Sequence, residues 1–230
     1  MLPADLRSAE AEAIGAIQAA LRSSPRGLWS VELRFEGLRI QPLALRLLGA
    51  LRAFQPDARL LCADAGSTAL AQRDAPELAE AIASLKDQQR LQQAEGGSEE
   101  LLLMVAPGPS DYDLVERVCA MHRASVVLLN ANLEDAAVGI GSVARERRKG
   151  FLLGLQTAYA LIPTADGALR RAFPEPWQLY RSDPDGYRAV ASFERKPDLE
   201  EQALALAHEQ GLSINANLRL FDAFIDGLSS

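Results

Sequence analysis

The sequence contains few of the residues that most often carry metal binding or disulfide bonds. It has two histidines and two cysteines among 230 residues. Cys62 and Cys119 lie in apolar surroundings without a CxxC spacing, so we expect buried thiols and no disulfide framework. His122 and His208 fall on separate predicted helices, which leaves no residue set for a metal centre.

Other absences narrow the class of function. No GxSxG, P-loop or HExxH motif occurs, and no spacing pairs a nucleophile with a base. The net charge of -7 disfavours general nucleic-acid binding, which needs a basic face against the phosphates. No apolar run approaches the roughly 18 residues of a membrane span, and the first residues lack a signal-peptide pattern. We therefore expect a soluble, cytoplasmic protein, at most peripheral to a membrane, with no cofactor.

The chain is organised around a strand, a helix and a strand within residues 100–130. Two unbroken apolar runs, 101–105 and 126–129, flank a segment with apolar residues at helical spacing, namely 114, 115, 118 and 121. A strand that is apolar on both faces must be covered on both faces. This pattern predicts parallel pairing inside an α/β sheet.

The preceding part of the chain supplies two further strands with flanking helices. An amphipathic helix is predicted over 3–22, and a helix from Pro42 to Phe54. Residues 29–36 alternate apolar and polar, which predicts a half-buried strand near a sheet edge, and 59–64 is a second core strand. Residues 75–95 leave two alternatives open, since 82–85 fit either a helix or an edge strand.

Beyond residue 150 the spacing of the apolar residues changes to the alternation that is typical of β-strands, and several such strands follow one another. Strands are predicted at 153–162, 169–173, 177–181 and 187–193, with a turn at 183–186, so they should form an antiparallel meander. Asp198 and Glu201 have capping-box spacing and should open a helix to Gln210. A last helix is predicted from three apolar residues at helical spacing, Leu218, Phe221 and Ile225.

These elements predict an α/β fold in one mixed sheet. A parallel, Rossmann-like core of four strands with flanking helices should continue into the C-terminal antiparallel meander. We expect one domain over residues 1–230, with a parallel α/β half (1–135), the meander (150–195) and C-terminal helices (198–230).

The first candidate site is the carboxyl edge of the parallel strands, where ligands bind in open α/β sheets. Polar residues and one glycine follow three of the predicted strands there: Asp64, Gly66, Ser67, Ser110, Asp111 and Asn130. They could hold a nucleotide or a phosphate ester. The alternative is that they cap helices, with Ser110 and Asp113 at the start of the central helix.

The second candidate is a partner-docking surface. Arg145, Arg147, Arg148 and Lys149 form the one concentrated basic patch on an acidic chain and could bind an acidic partner. Trp177 and Tyr180 belong to a cluster of aromatics and prolines that could form a rigid recognition surface. The alternatives are a solvated face for the patch and core packing for the aromatics.

Four blocks of the sequence resemble those of an uncharacterised cyanobacterial and chloroplast family. The blocks are ADAGSTALAQRD (63–74), VAPGPSDYDLVE (105–116), VLLNANL (127–133) and FPEPWQLY (173–180), and they keep the family's order. The family is the domain of unknown function of the low photosystem II accumulation proteins, also found as a C-terminal extension of some plastid adenylate kinases. The resemblance carries no established catalytic residues.

The resemblance implies a photosynthetic organism and a role in building or maintaining photosynthetic complexes. Two function classes follow. The first is a non-catalytic auxiliary factor that docks on a photosystem subunit or its membrane-insertion machinery, in the cytoplasm or on the cytosolic face of the thylakoid membrane. The second is a small-ligand module at the carboxyl edge of the sheet. An enzyme ranks third, since no nucleophile, base or metal set can be nominated.

Overall fold

A single mixed sheet of nine strands forms the centre of the molecule. The computed structural model describes residues 1–133 and 150–209. The strand order is β3-β2-β4-β5-β1-β6-β7-β8-β9. In this order the strands from β3 to β6 pair in parallel, and the strands from β6 to β9 pair antiparallel, so β6 belongs to both parts. The predicted mixed α/β sheet, parallel first and then a meander, is confirmed.

The strands are short in the parallel part and longer in the meander. Their bounds are β1 Leu28–Leu33, β2 Arg59–Cys62, β3 Ile82–Ser84, β4 Leu102–Val105, β5 Val126–Leu129, β6 Leu155–Thr164, β7 Gly167–Ala172, β8 Trp177–Asp183 and β9 Gly186–Phe193. The helices are α1 Leu6–Ser23, α2 Ile40–Arg52, α3 Ala65–Asp74, α4 Leu85–Glu95, α5 Tyr112–Met121 and α6 Leu199–Glu209. Short 3-10 helices cover Pro76–Ala81, Pro109–Asp111 and Phe151–Gly154.

Both faces of the parallel strands are buried, as their apolar runs require. Leu103 of β4 packs with α1 and α2, whereas its neighbours Leu102 and Met104 pack with α4 and α5 on the opposite face. Alternate residues of a strand point to opposite faces, so every residue of such a strand must be apolar. In the meander, Ala205 and Leu206 of α6 pack against a separate apolar cluster that contains Leu179.

Strand β1 lies inside the sheet, so its predicted position near an edge is wrong. It pairs with β5 on one side and with β6 on the other. Its polar residues have partners in the fold. The Ser30 hydroxyl donates to the hydroxyl of Thr157 at 3.2 Å, and the Glu32 carboxylate binds Lys196 at 3.2 Å. The alternating polarity therefore reflects pairing with residues far along the chain rather than exposure.

Strand β6 also departs from the prediction. It was expected to be purely antiparallel, yet it pairs parallel to β1 and antiparallel to β7. The parallel region thus extends past residue 135, because the chain crosses over β1 before it enters the meander. Residues 134–149, which include most of that crossover, and 210–230, which include the predicted last helix, lie outside the described residues.

The structure also shows which of the two alternatives holds for residues 75–95 and where helices α2 and α6 begin. Residues 82–84 are the edge strand β3, beside β2, and α4 follows directly. Helix α2 begins at Ile40, two residues before Pro42, the predicted first position. The capping box of α6 is confirmed: Glu201 N–H donates to Asp198 Oδ1 at 2.9 Å, and Asp198 N–H donates to Glu201 Oε2 at 3.0 Å.

Candidate functional site

The ligand-site residues predicted from sequence follow three neighbouring parallel strands. In β2, β4 and β5 the residues Cys62, Val105 and Leu129 lie side by side in register. The segments after them contain Asp64, the 107–111 loop and Asn130. The topology therefore places all three at the carboxyl edge of the sheet. What each polar group binds decides whether the edge is available to a ligand.

Asp64 is the N-cap of α3. Its Oδ1 accepts the backbone N–H of Ser67 at 2.9 Å, and its Oδ2 accepts the Ser67 hydroxyl at 2.8 Å. The backbone hydrogen bond from Ser67 is the main cause that lowers the pKa of Asp64. Gly66 lies within this turn and is exposed. These three residues form a complete helix cap, which accounts for them without a ligand.

The turn after β4 is capped by a different residue than predicted. Helix α5 begins at Tyr112, so Ser110 is not its N-cap; Ser110 lies exposed in the preceding 3-10 turn. The carboxylate of Asp111 accepts the backbone N–H of Gly108 at 2.8 Å. The predicted pairing of Ser110 with Asp113 is thus replaced by a tighter turn, in which Pro109 takes the first position.

Asn130 binds β1 rather than presenting its amide at the edge. Its Oδ1 accepts the N–H of Leu33 at 2.7 Å, and its Nδ2 donates to the carbonyl of Leu33 at 2.7 Å. Its own N–H donates to the carbonyl of Val31 at 2.8 Å. The residue has a φ of +48°, a conformation that asparagine tolerates better than most residues. Asn130 therefore extends the ladder between β5 and β1.

The loops at this edge also bind one another. The Arg34 guanidinium donates to the carbonyl of Ala131 at 2.9 Å, and the N–H of Asn132 donates to the carbonyl of Pro107 at 2.9 Å. The predicted residues are thus brought to one edge. The polar groups of Asp64, Asp111 and Asn130 are bound by their own chain, and these contacts join the segments that follow β4, β5 and β1.

A pocket of about 560 Å³ opens further along the same edge, beyond β1 and β6. It lies between the first residues of α1 and of α2, and its lining includes Phe35, Leu38 and Leu161 together with Arg39 and Arg46. Arg46 is held by Glu10, whereas Arg39 is exposed and makes no ion pair within the described ranges. Sequence reasoning missed this pocket because it depends on α1 lying beside the end of β1.

The predicted docking residues separate into two groups. The basic patch of Arg145, Arg147, Arg148 and Lys149 lies outside the described residues. Trp177 and Tyr180 are only 3% and 2% exposed, so these two aromatics cannot form the docking surface. Trp177 belongs to the apolar cluster under α6, and the hydroxyl of Tyr180 donates to Gln178 at 2.8 Å. Both rings are packed inside the meander.

Strand β9 is the exposed edge of the meander. It pairs with β8 on one side, and no residue of the described ranges pairs with its other side. None of its eight residues is buried, and Tyr187 is 57% exposed. Its one charged side chain, Arg188, is bound to Asp183 at 3.0 Å. Natural edge strands are protected by prolines, charged side chains, β-bulges or short length. Strand β9 has no proline and is eight residues long, and its pairing with β8 carries one register shift, between Leu179 and Tyr180.

A second cleft, of about 530 Å³, lies at the opposite, amino edge of the sheet. We call it the amino-edge cleft. It is formed where β2 and β4 begin and where α2 and α4 end, and its lining residues are Arg52, Asp57, Arg59, Glu80, Ala81, Leu91, Glu95, Gly96, Gly97, Ser98 and Glu100.

A polar network lies behind one wall of this cleft, and its members Ser98 and Glu100 line the cleft. His122 Nε2 lies 2.8 Å from the carbonyl of Glu100, and a carbonyl can only accept, so Nε2 carries the proton. Nδ1 is then an acceptor for the Ser98 hydroxyl at 3.1 Å. Gln88 Nε2 donates to both Ser98 Oγ at 3.0 Å and Glu100 Oε1 at 3.2 Å. Burial lowers the pKa of His122, which favours the neutral imidazole.

Gly97 explains how Ser98 and His122 meet. A Cβ atom at this position would stand 2.3 Å from the carbonyl oxygen of Met121, at the end of α5. Only glycine allows the loop to approach α5 this closely. The Gly96-Gly97 pair before an apolar strand was the sequence signal for this contact, but it names no partner. Ser98 Oγ accepts one hydrogen bond and donates another, so it is fixed inside the network.

The described residues contain neither a metal-binding group nor a membrane-spanning helix. Residues 1–133 and 150–209 hold no set of three or more His, Cys, Asp or Glu side chains arranged for an ion. No helix in those ranges combines the length and apolar character needed to cross a bilayer. Of the two cysteines, Cys62 is buried and Cys119 is half-buried; both are free thiols, and burial raises the pKa of each.

Comparison with known proteins gives a family and nothing more specific. No curated protein and no solved structure matches the chain. The family described as "Domain of unknown function (DUF1995)" matches over residues 3–204. This match covers the parallel strands, the meander and the start of α6. The chain therefore belongs to the DUF1995 family.

Proposed function

We propose that this protein is a non-catalytic auxiliary factor for the assembly or maintenance of photosynthetic complexes, photosystem II in the first place. It acts by docking on a photosystem subunit or on its membrane-insertion machinery. The photosynthetic setting rests on the resemblance of the four sequence blocks to the low photosystem II accumulation proteins. The docking mode rests on a separate observation, the exposed edge of β9.

Strand β9 can accept a further strand from a partner. An exposed edge offers a row of backbone N–H and C=O groups, and an extended segment that pairs with them gains main-chain hydrogen bonds. The pairing needs no deep pocket and no catalytic group. It suits a factor that holds a partner segment transiently, since a single added strand buries a small area.

The experiment places a positive charge on the edge of β9. Ala189 is exposed and lies opposite Tyr180 of β8, so Ala189→Lys adds the side chain that natural edge strands use against pairing. We expect about tenfold less photosystem II subunit captured from cyanobacterial membranes, equivalent to about 1.4 kcal/mol. The matched control is Ala120→Lys on α5, an exposed alanine away from the meander. Equal capture by wild type and Ala189→Lys would refute docking through β9.

A second candidate is a small-ligand module for a nucleotide or a phosphate ester. Of the residues first predicted for it, Asp64, Asp111 and Asn130 make internal contacts, but the pocket beyond β1 and β6 favours a ligand module on other grounds. That pocket lies where the connections of two neighbouring parallel strands diverge, the position at which open α/β sheets bind ligands. The exposed guanidinium of Arg39 offers a phosphate two parallel hydrogen bonds.

Calorimetry with ATP and with inorganic pyrophosphate tests this candidate. Saturable binding that Arg39→Gln weakens about tenfold would support a ligand module. The matched control is Arg26→Gln, which removes the same charge from an exposed position outside the pocket. Absence of binding, or equal binding by wild type and Arg39→Gln, would remove this candidate.

A further inference from the structure

The pocket beyond β1 and β6 is walled mainly by apolar side chains. Of its twelve lining residues, four are charged, and the rest are apolar side chains or glycine. Phe35 and Leu38 are half-buried and pack against the core beneath α1 and α2. Leu6, the first residue of α1, is 37% exposed. An apolar group that enters the pocket would remove part of this surface from water, which favours binding.

Two of the four charged lining residues are held by their own chain. Asp5 is the N-cap of α1, and its carboxylate accepts a backbone N–H of the first turn at 2.8 Å. Arg46 Nε donates to Glu10 Oε2 at 2.9 Å. Glu36 and Arg39 are exposed, and neither has an ion-pair partner in the part of the chain that the structure describes. Arg39 is therefore the cation of the lining that a ligand can bind.

The charges of the lining favour a ligand with one anionic group over a polyanion. Two carboxylates stand against two guanidinium groups, so the lining as a whole carries no excess of positive charge. A single phosphate can still accept two parallel hydrogen bonds from Arg39. The base and ribose of a nucleotide would bring further donors and acceptors against the apolar walls, and a polar group buried without a partner weakens binding.

We propose that this pocket binds a phosphate monoester of an apolar alcohol, with the phosphate at Arg39 and the apolar body against Leu6, Phe35 and Leu38. The volume of about 560 Å³ lies within the range of small-molecule sites. The inference rests on the second candidate function, the ligand module, and narrows its ligand to one chemical class. A free alkyl phosphate and the membrane lipid phosphatidic acid share this chemistry.

Calorimetric titration of the full chain with butyl phosphate and with octyl phosphate tests the role of the apolar body. We expect saturable binding that strengthens about fourfold for each further methylene group that the pocket buries. Pyrophosphate has no apolar body, so it should bind through Arg39 alone and more weakly than octyl phosphate. Octyl phosphate that binds no more tightly than butyl phosphate would overturn the inference. Binding of pyrophosphate that depends on Arg39 would in that case leave the ligand module standing.

Matched variants test whether the alkyl chain binds in this pocket. Leu6→Gln should weaken the binding of octyl phosphate about fivefold. Its control is Leu70→Gln on α3, since Leu70 is 46% exposed and lies outside the pocket. Equal losses in the two variants would show that the alkyl chain binds any exposed leucine, and would overturn the site.

The two unpaired charges of the lining test where the phosphate binds. Arg39→Gln should weaken octyl phosphate binding about tenfold, whereas Arg26→Gln, outside the pocket, should not change it. Glu36→Gln removes a negative charge from the lining and should strengthen the binding. Weaker binding by Glu36→Gln would show that the site prefers a cation, and would overturn the proposal.

Flotation with phosphatidylcholine vesicles, with and without phosphatidic acid, distinguishes the two sources of the ester. Flotation that requires both phosphatidic acid and Arg39 would identify a membrane lipid as the ligand. Binding of octyl phosphate without flotation would identify a free ester. Ala189→Lys should leave octyl phosphate binding unchanged, so a failure of docking through β9 and a failure of this pocket are distinguishable. No saturable binding of octyl phosphate by the wild type would overturn the proposal.

Discussion

The amide of Asn130 should contribute to stability rather than to ligand binding, and a series of substitutions at this one position tests that. Its oxygen and nitrogen both bind the backbone of Leu33, which is 0% exposed. Asn130→Gly keeps the freedom to adopt a φ of +48° and removes only the amide. Asn130→Ala removes the amide and adds strain at positive φ. Asn130→Asp keeps an acceptor for the N–H of Leu33 but loses the donor to its carbonyl.

The expected magnitudes follow from the hydrogen bonds that each substitution removes. Each hydrogen bond contributes about 0.5–1.5 kcal/mol net, so Asn130→Gly should lower the free energy of unfolding by about 1–3 kcal/mol. Positive φ costs alanine a further ~1 kcal/mol or more, so Asn130→Ala should be less stable than Asn130→Gly. Asn130→Asp should be destabilised through the contact between its carboxylate and the Leu33 carbonyl, because both are acceptors.

Urea unfolding followed by circular dichroism measures these differences. The order of stability should be wild type, then Asn130→Gly, then Asn130→Ala. A glycine variant as stable as the wild type would show that the amide contributes nothing to the fold. In that case Asn130 would again be available to a ligand at the carboxyl edge, and the structural role argued above would be refuted.

Three further perturbations test other parts of the structure. Burial lowers the pKa of His122, so below about pH 6.5 the folded state binds fewer protons than the unfolded state. The free energy of unfolding should therefore fall as the pH drops through that value. Urea titrations should show a smaller fall for His122→Gln. Arg170 binds Glu12 at 3.1 Å and Glu175 at 3.0 Å, so Arg170→Met should cost about 2 kcal/mol in the same assay, and no loss would show the cluster to be neutral. Replacing Arg147, Arg148 and Lys149 with alanine should weaken capture by isolated membranes at low salt but not at high salt, and capture equal to that of the wild type at both would make the patch an ordinary solvated face.

Much of the parallel core could be predicted because its signals are local. The apolar runs at 101–105 and 126–129 became β4 and β5 as expected, since a strand buried on both faces has no freedom to be polar. The capping box at Asp198 and Glu201 was likewise confirmed, because both partners lie within one turn. Such features need no knowledge of the rest of the fold.

Features that depend on distant contacts could not be predicted. Strand β1 looked like an edge strand because Ser30 and Glu32 are polar, and only the fold supplies Thr157 and Lys196 as their partners. Asn130 looked available to a ligand for the same reason, since its partner Leu33 lies 97 residues away in the sequence. The amino-edge cleft was missed because its network joins a loop and two helices that are not neighbours in any sequence pattern.

Hydrogen–deuterium exchange on β9 tests the proposed docking function most directly. The amides of residues 186–193 would be followed in the free protein and after addition of photosystem II assembly intermediates from cyanobacterial membranes. If a partner strand pairs with β9, the amides on its free edge should become protected, while those of the control strand β3 at the opposite edge should not change. Exchange at β9 that stays the same while the protein is demonstrably bound would contradict docking through this edge.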